Sequence, residues 1–418
     1  MTGHLFKIIY NQRRTNGWIV LELFLIFVLV FVLADFFSVM YLTARKPVGA
    51  DVNDTYLVRL SMPLPTYPDF ISYPEGSEEP LQNFLRITDR IRQCPGVESM
   101  CLCQSFYPYS GGYSENSFRH DSLEVNVRIY TATADYFRVF RVYGVNGETP
   151  EQLGKAFMGK AVVTRLAAQS LFPGGQQPVG KRIFRSKEDS TGIVIAGVLP
   201  DMKPHNYDRV QPYMICPLNE TDWRSLPENR LCYSLAICIR IRPGLDKQAF
   251  EASFGEAMKA DVGNFSFDEL VPFSQVREQL MGYLGVTKAI QYRVLLAVFF
   301  LLNLFLGVIG TFWFCIEHRR EEIGIRMALG ASRRKVRQWL LWESLFLFSI
   351  ALLPALLVCL NLWRMELLST EYMDLTAGRF LLDVVLALLL LVPVILLATW
   401  YPARRSAKIE PAEALHYE

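Results

Sequence analysis

Histidine is scarce in this chain, and charge of either sign is nearly balanced. The five histidines in 418 residues, His4, His120, His205, His318 and His416, are scattered and form no cluster. No H-E-x-x-H run and no G-x-S-x-G elbow occurs, so nothing points to a zinc protease or a serine hydrolase. The net charge is +2, with 43 Lys and Arg against 41 Asp and Glu, which argues neither for nucleic acid nor for a bulk acidic ligand. Eight cysteines are present, but no C-x-x-C pair or nearby histidine completes a zinc-site spacing. Two stretches, Gly154–Ala161 (GKAFMGKA) and Gly175–Arg182 (GQQPVGKR), fit the glycine-lysine part of a phosphate-binding loop. Neither carries the Ser or Thr that would hold Mg²⁺, and both read as turns. The sequence thus offers no catalytic residue, no metal site and no directly bound cofactor.

Apolar residues are abundant instead. They make up 51% of the chain, and the mean hydropathy is +0.19. Four runs are long enough to cross about 30 Å of hydrocarbon as helices: 18–42, 292–316, 339–363 and 381–400. Trp18, Tyr292, Trp339, Trp363 and Trp400 stand at their ends, where amphipathic rings prefer the interface. The first run is longer than the apolar core of a secretory signal, and no small-x-small site closes it, so it reads as a retained anchor. Leu5, Ile8 and Ile9 share one face, which suggests an interfacial elbow helix within 1–17. Glu22, Asp35, Glu343 and Asp383 fall within the runs; their distance from the run ends suggests headgroup solvation.

Lys and Arg set the orientation. Lys7, Arg13 and Arg14 precede the first run, and Arg404, Arg405 and Lys408 follow the last. Seven more lie in the twenty-one residues Glu317–Arg337. The short loop 364–380 has only Arg364 and Arg379 against Glu366, Glu371 and Asp374. With four spans, all three basic segments are inside, and both termini are cytoplasmic. Residues 43–288 are then outside. They carry Cys94, Cys101, Cys103, Cys216, Cys232 and Cys238, for which buried thiols are expected and no pairing is assigned.

The outer segment is mixed in pattern. TYLVRL at 55–60, LEVNVRIY at 123–130, GIVIAGVL at 192–199 and SLAICIRIR at 234–242 read as strands. Residues 81–91 and 247–258 read as helices, and YPYSGGYSENS at 107–117 reads as an exposed loop. The expected fold is therefore a membrane protein of four transmembrane α-helices, with a large mixed α/β domain between the first and second.

The loop at 317–338 is more than a retention signal. Its centre, EEIGIRMALG, has Ile323 and Met327 four apart and Ile325 and Leu329 four apart, the period of a short amphipathic helix. Gly330 offers a helix stop and Ser332 an N-cap for the helix that follows. This wording closely resembles the REIGIRRALGAS-type signature of MacB/FtsX-like ABC transporter permeases. The C-terminal segment at 401–418, YPARRSAKIEPAEALHYE, resembles the same family's ending. So do TADYFRVF at 133–140, AVVTRLAAQSLFPGGQQPVGKRI at 161–183 and IVIAGVLPDM at 193–202, in the family's order.

That resemblance implies a MacB-like extracytoplasmic domain and an FtsX-like transmembrane domain. It assigns ATPase coupling to Glu321, Ile323, Gly324, Arg326, Leu329 and Gly330, with Ile323 and Leu329 touching the ATPase. It gives the C-terminal motif as Tyr401, Pro402, Arg404, Arg405, Pro411, Ala414 and Leu415. It implies a separate ABC ATPase that supplies ATP, a second copy or a homologous permease, and mechanotransmission across a bacterial inner membrane. For an export system it further implies adaptor and outer-membrane proteins. Two other readings stay open: an FtsX-like regulator of an extracytoplasmic enzyme, and a transmembrane sensor.

Overall fold

The computed structural model describes residues 13–185, 189–317 and 331–406, together with 323, 325, 327 and 329. Residues 1–12 of the expected elbow and residues 407–418 of the C-terminal segment fall outside the described residues, while 13–17 are helical and continuous with the first span. The chain divides into two compact units. One comprises Met1–Thr43 and Thr287–Glu418, the other Ala44–Val286.

The first unit holds four long helices: α1 Arg13–Arg45, α2 Val286–Glu317, α3 Arg333–Arg364 and α4 Ala377–Ser406. Each is long and apolar enough to cross a membrane. Helix α1 contains no Pro or Gly between Trp18 and Arg45, so nothing interrupts its backbone ladder. The helices overrun the apolar runs, because a helix continues into charged sequence until a cap or breaker stops it. Helix α3 therefore starts at Arg333, where the Ser332 hydroxyl accepts a hydrogen bond from the Lys335 backbone N–H at 3.4 Å. Helix α4 starts at Ala377, so Arg379 lies in its first turn and not in the loop at 364–380.

Packing within this unit depends on fit, since lipid is as apolar as the side chains. Ile19, Leu23, Phe27 and Phe31 of α1 meet Leu304 and Val308 of α2, Phe348 of α3, and Leu391 of α4. Small residues on α3 and α4, Ala351, Ala355, Ala387 and Ala398, let the helices approach closely.

The second unit is a mixed α/β domain. Its strands are β1 Thr55–Ser61, β2 Val97–Gln104, β3 Ser114–His120, β4 Leu123–Ala132, β5 Ala161–Thr164, β6 Arg182–Ile183, β7 Ile193–Leu199, β8 Tyr213–Pro217, β9 Leu235–Ile241 and β10 Ser266–Pro272. They form one sheet in the order β10-β1-β9-β2-β4-β8-β5-β7-β6; off this path β3 pairs with β4 and bridges Phe184 through Arg119. The β4–β8 and β5–β7 pairs are parallel, and the other pairs are antiparallel.

All four expected strands are present. Strand β3 is a departure, because the end of the expected loop at 107–117 is strand. Its sequence SENSFRH lacks apolar alternation. It forms by pairing along its whole length with β4, through a tight turn in which Asp121 takes φ 52°.

Helix 79–93 presents Phe84, Ile87 and Ile91 to the sheet, with Phe84 edge-on to Trp223 and Phe265. Helix 247–257 is capped by the Asp246 carboxylate, which accepts from the backbone N–H groups of Gln248 and Ala249. On the opposite face, Arg240 of β9 is fully buried. It donates to the carbonyls of Val139 at 2.5 Å, Asn53 at 2.8 Å and Asp51 at 2.6 Å, tying the turn at 136–139 to the sheet. Beside it, Cys101 and Cys103 of β2 and Cys238 of β9 bring three thiols together. The sequence spacing gave no hint of this, because β9 is contributed from far along the chain.

Candidate functional site

The residues singled out by the sequence gather where α2 ends, α3 begins and α4 ends. Ile323, Ile325 and Met327 are helical, as the four-residue period requires. Ile323 is only 2% exposed. It packs on Val336 and Leu340 of α3 and Ala403 of α4, with Met327, Ala331 and Trp339 beside it. Leu329 points the other way and is 83% exposed; Ile325 is exposed too. The expectation that Ile323 offers an apolar surface to a partner therefore needs revision. Burial makes it the inner contact of the segment, and Ile325 and Leu329 form the outer face. The sequence period could not tell which of the two faces turns inward. Glu321, Gly324, Arg326 and Gly330 lie outside the described residues.

The end of α4 adds a second fastening. Tyr401 stacks on Trp313 of α2, with ring centroids 6.2 Å apart and planes inclined by 24°. The Arg405 guanidinium lies 4.5 Å over the other ring of that pair, Trp313, and Arg404 lies 5.2 Å over Trp400. Pro402 is buried, and Arg404 and Arg405 are exposed. Pro411, Ala414 and Leu415 lie outside the described residues. Helices α2, α3 and α4 and the 323–329 segment are thus held together by named contacts.

A polar cluster that sequence reasoning missed joins α1 to α4. Arg379 donates to both carboxylate oxygens of Asp35, at 2.7 and 2.9 Å, and to the carbonyls of Met373 at 2.7 Å and Ser369 at 3.0 Å. Both side chains are almost fully buried. The Ser38 hydroxyl lies 2.5 Å from Asp383 Oδ1, while Asp383 Oδ2 is buried with no hydrogen-bond partner among the described residues. Headgroup solvation is therefore not how Asp35 and Asp383 are accommodated. Each has a protein neighbour supplied by another helix. The signal was present, since an unpaired carboxylate and an unpaired guanidinium at span ends are both costly. Glu22 also turns inward. Its carboxylate is 3.5 Å from the Thr311 hydroxyl and lies against Gly307 of α2, where an added Cβ would collide with it.

Two family models match the chain. Residues 40–257 match the family model of the MacB-like periplasmic core domain, and residues 294–411 match that of the FtsX-like permease C-terminal. The macrolide export ATP-binding/permease protein MacB of Salmonella choleraesuis is 23% identical over 308 residues, 72% of this chain and 45% of that protein. MacB of Agrobacterium fabrum is 26% identical over 302 residues, 70% of this chain and 44% of that protein. The chain spans about half the length of the curated relatives it matches. A crystal structure of the periplasmic region of MacB from Actinobacillus actinomycetemcomitans covers 57% of this chain and 97% of its own, at 13% identity and a TM-score of 0.34.

Proposed function

This chain belongs to the family of permeases that join a MacB-like periplasmic core domain to an FtsX-like permease C-terminal domain, and from that membership we propose that it is the permease subunit of an ABC transporter of the export type. In this role it binds no nucleotide itself. An ABC ATPase on a separate polypeptide grips the 317–338 loop, and ATP-driven closure of a permease pair moves the helices and the outer domain. The single observation that carries the reading is the two-faced 323–329 segment. Ile323 anchors it to α3 and α4, and Leu329 faces outward. A segment fixed on one side and apolar on the other suits transmission of force from a docked protein. The relatives' names, ATP-binding/permease proteins for macrolide export, support both the ATPase and the direction of transport. The match over the periplasmic core domain favours export over regulation of an extracytoplasmic enzyme.

Both termini are assigned to the cytoplasm, from the Lys and Arg distribution. Cysteine labelling from outside the cell should reach a probe at Ser114 and not one at Ser332; label at Ser332 in intact cells overturns the orientation. The coupling claim is tested on the full chain, purified with its ATPase. Leu329→Asp should reduce ATPase recovery about tenfold or more, in line with loss of an apolar anchor worth roughly 1–3 kcal/mol. It should also abolish permease-dependent stimulation of ATP hydrolysis. Unchanged recovery and unchanged hydrolysis would leave the loop as a topology signal only.

A further inference from the structure

We propose that Cys101, Cys103 and Cys238 form a trithiolate site for a soft d¹⁰ cation, Zn(II) or Cu(I), inside the outer domain. The sheet places them. Cys101 and Cys238 are direct cross-strand partners in the β2–β9 ladder, and Cys103, two residues further along β2, points to the same face. The three sulfurs all lie within 4.8 Å of one another, and Cys101 Sγ is 4.0 Å from Cys103 Sγ. That spacing decides between two chemistries. Three sulfurs each about 2.3 Å from one metal stand about 4.0 Å apart in a trigonal plane, whereas a disulfide draws two of them to about 2.05 Å.

The surroundings suit a metal as well. All three side chains are buried beneath the turn at 136–139. The Tyr136 hydroxyl is fully buried, has no hydrogen-bond partner among the described residues, and lies within electrostatic reach of all three sulfurs. Binding releases one proton per thiol that becomes a ligand. Three thiolates around Zn(II) leave one negative charge and around Cu(I) two, which the Tyr136 O–H partly offsets. Soft thiolate donors select these two ions over Mg²⁺ or Ca²⁺. Because the site is enclosed, the ion enters as the sheet closes.

The test uses the full chain purified from cells grown with added zinc or, separately, added copper, with free thiols alkylated at lysis. Metal analysis should give about one equivalent of one of the two ions per chain, with thiolate-to-metal charge-transfer absorption for copper or after cobalt exchange. Cys103→Ser and Cys238→Ser should each lower the retained metal at least tenfold. Cys232→Ser, whose thiol lies apart from the cluster, should leave it unchanged, and an unaltered thermal transition would show that the variants fold. Absence of both metals from the wild-type chain overturns the proposal. So does a mass-spectrometric disulfide between Cys238 and either partner, or equal metal in all three variants.

Discussion

Arg379 and Asp35 show what a single residue pair does in a span. Each charge would be costly alone in an apolar bundle, and together with two backbone carbonyls they satisfy most of each other's bonding capacity. Removing one partner leaves the other buried and uncompensated. Arg379→Ala is expected to destabilise the detergent-solubilised chain by about 3–5 kcal/mol in a denaturant titration. Replacing both, as Asp35→Asn with Arg379→Gln, should recover a large part of that loss. If the single and double variants unfold at the same denaturant concentration, the pair is not the stabilising contact. A second expectation concerns isolated thiols. Burial raises the Cys232 thiol to about 12 and the Cys216 thiol to about 11. At pH 8 the Cys232 thiolate fraction is then about one in ten thousand, so neither should be alkylated by iodoacetamide until the chain unfolds. Rapid modification in the folded protein would contradict their burial.

At the scale of elements, the 323–329 segment combines two roles that mutation should separate. Ile323→Asp places a charge in the apolar cluster with Val336, Leu340 and Ala403. It should loosen the segment, seen as faster amide exchange or protease nicking between 317 and 332. Leu329→Asp alters only an exposed position and should leave exchange unchanged. Equal exchange in both variants would mean that the inner contact carries no weight. Much of the architecture was legible at this scale, because long apolar runs and β-branched strands declare themselves. The four spans, four strands of the sheet and the Ser332 cap were readable for that reason. Strand β3 was not, because its pairing with β4 comes from a neighbour and not from its own polar sequence. The Asp35–Arg379 pair and the thiol cluster were hidden for a related reason. Each joins elements far apart in the chain, and a linear pattern carries no record of which span or strand becomes the neighbour.

For the whole molecule, the division into two units has a direct experimental form. The outer unit has its own buried core, built from two hydrophobic clusters along its sheet. A fragment of residues 46–284, expressed without the helices, should give a mixed α/β circular dichroism spectrum and a single cooperative melt. A fragment that stays unfolded would show that the sheet needs the membrane unit to form.

The Asp35–Arg379 pair also sets a schedule for synthesis. The two residues are 344 positions apart. At about 5–20 residues per second, a ribosome takes roughly 20–70 s to reach the arginine after making the aspartate. Through that interval α1 is already available for insertion, and its carboxylate has no guanidinium to meet. The nascent chain must wait with Asp35 snorkelled to the headgroups or shielded by the insertion machinery. Chains released before α4 is made should accordingly be the ones that quality-control proteases remove. Asp35→Asn should lengthen the lifetime of such truncated chains in pulse-chase experiments, even though the same substitution weakens the finished protein.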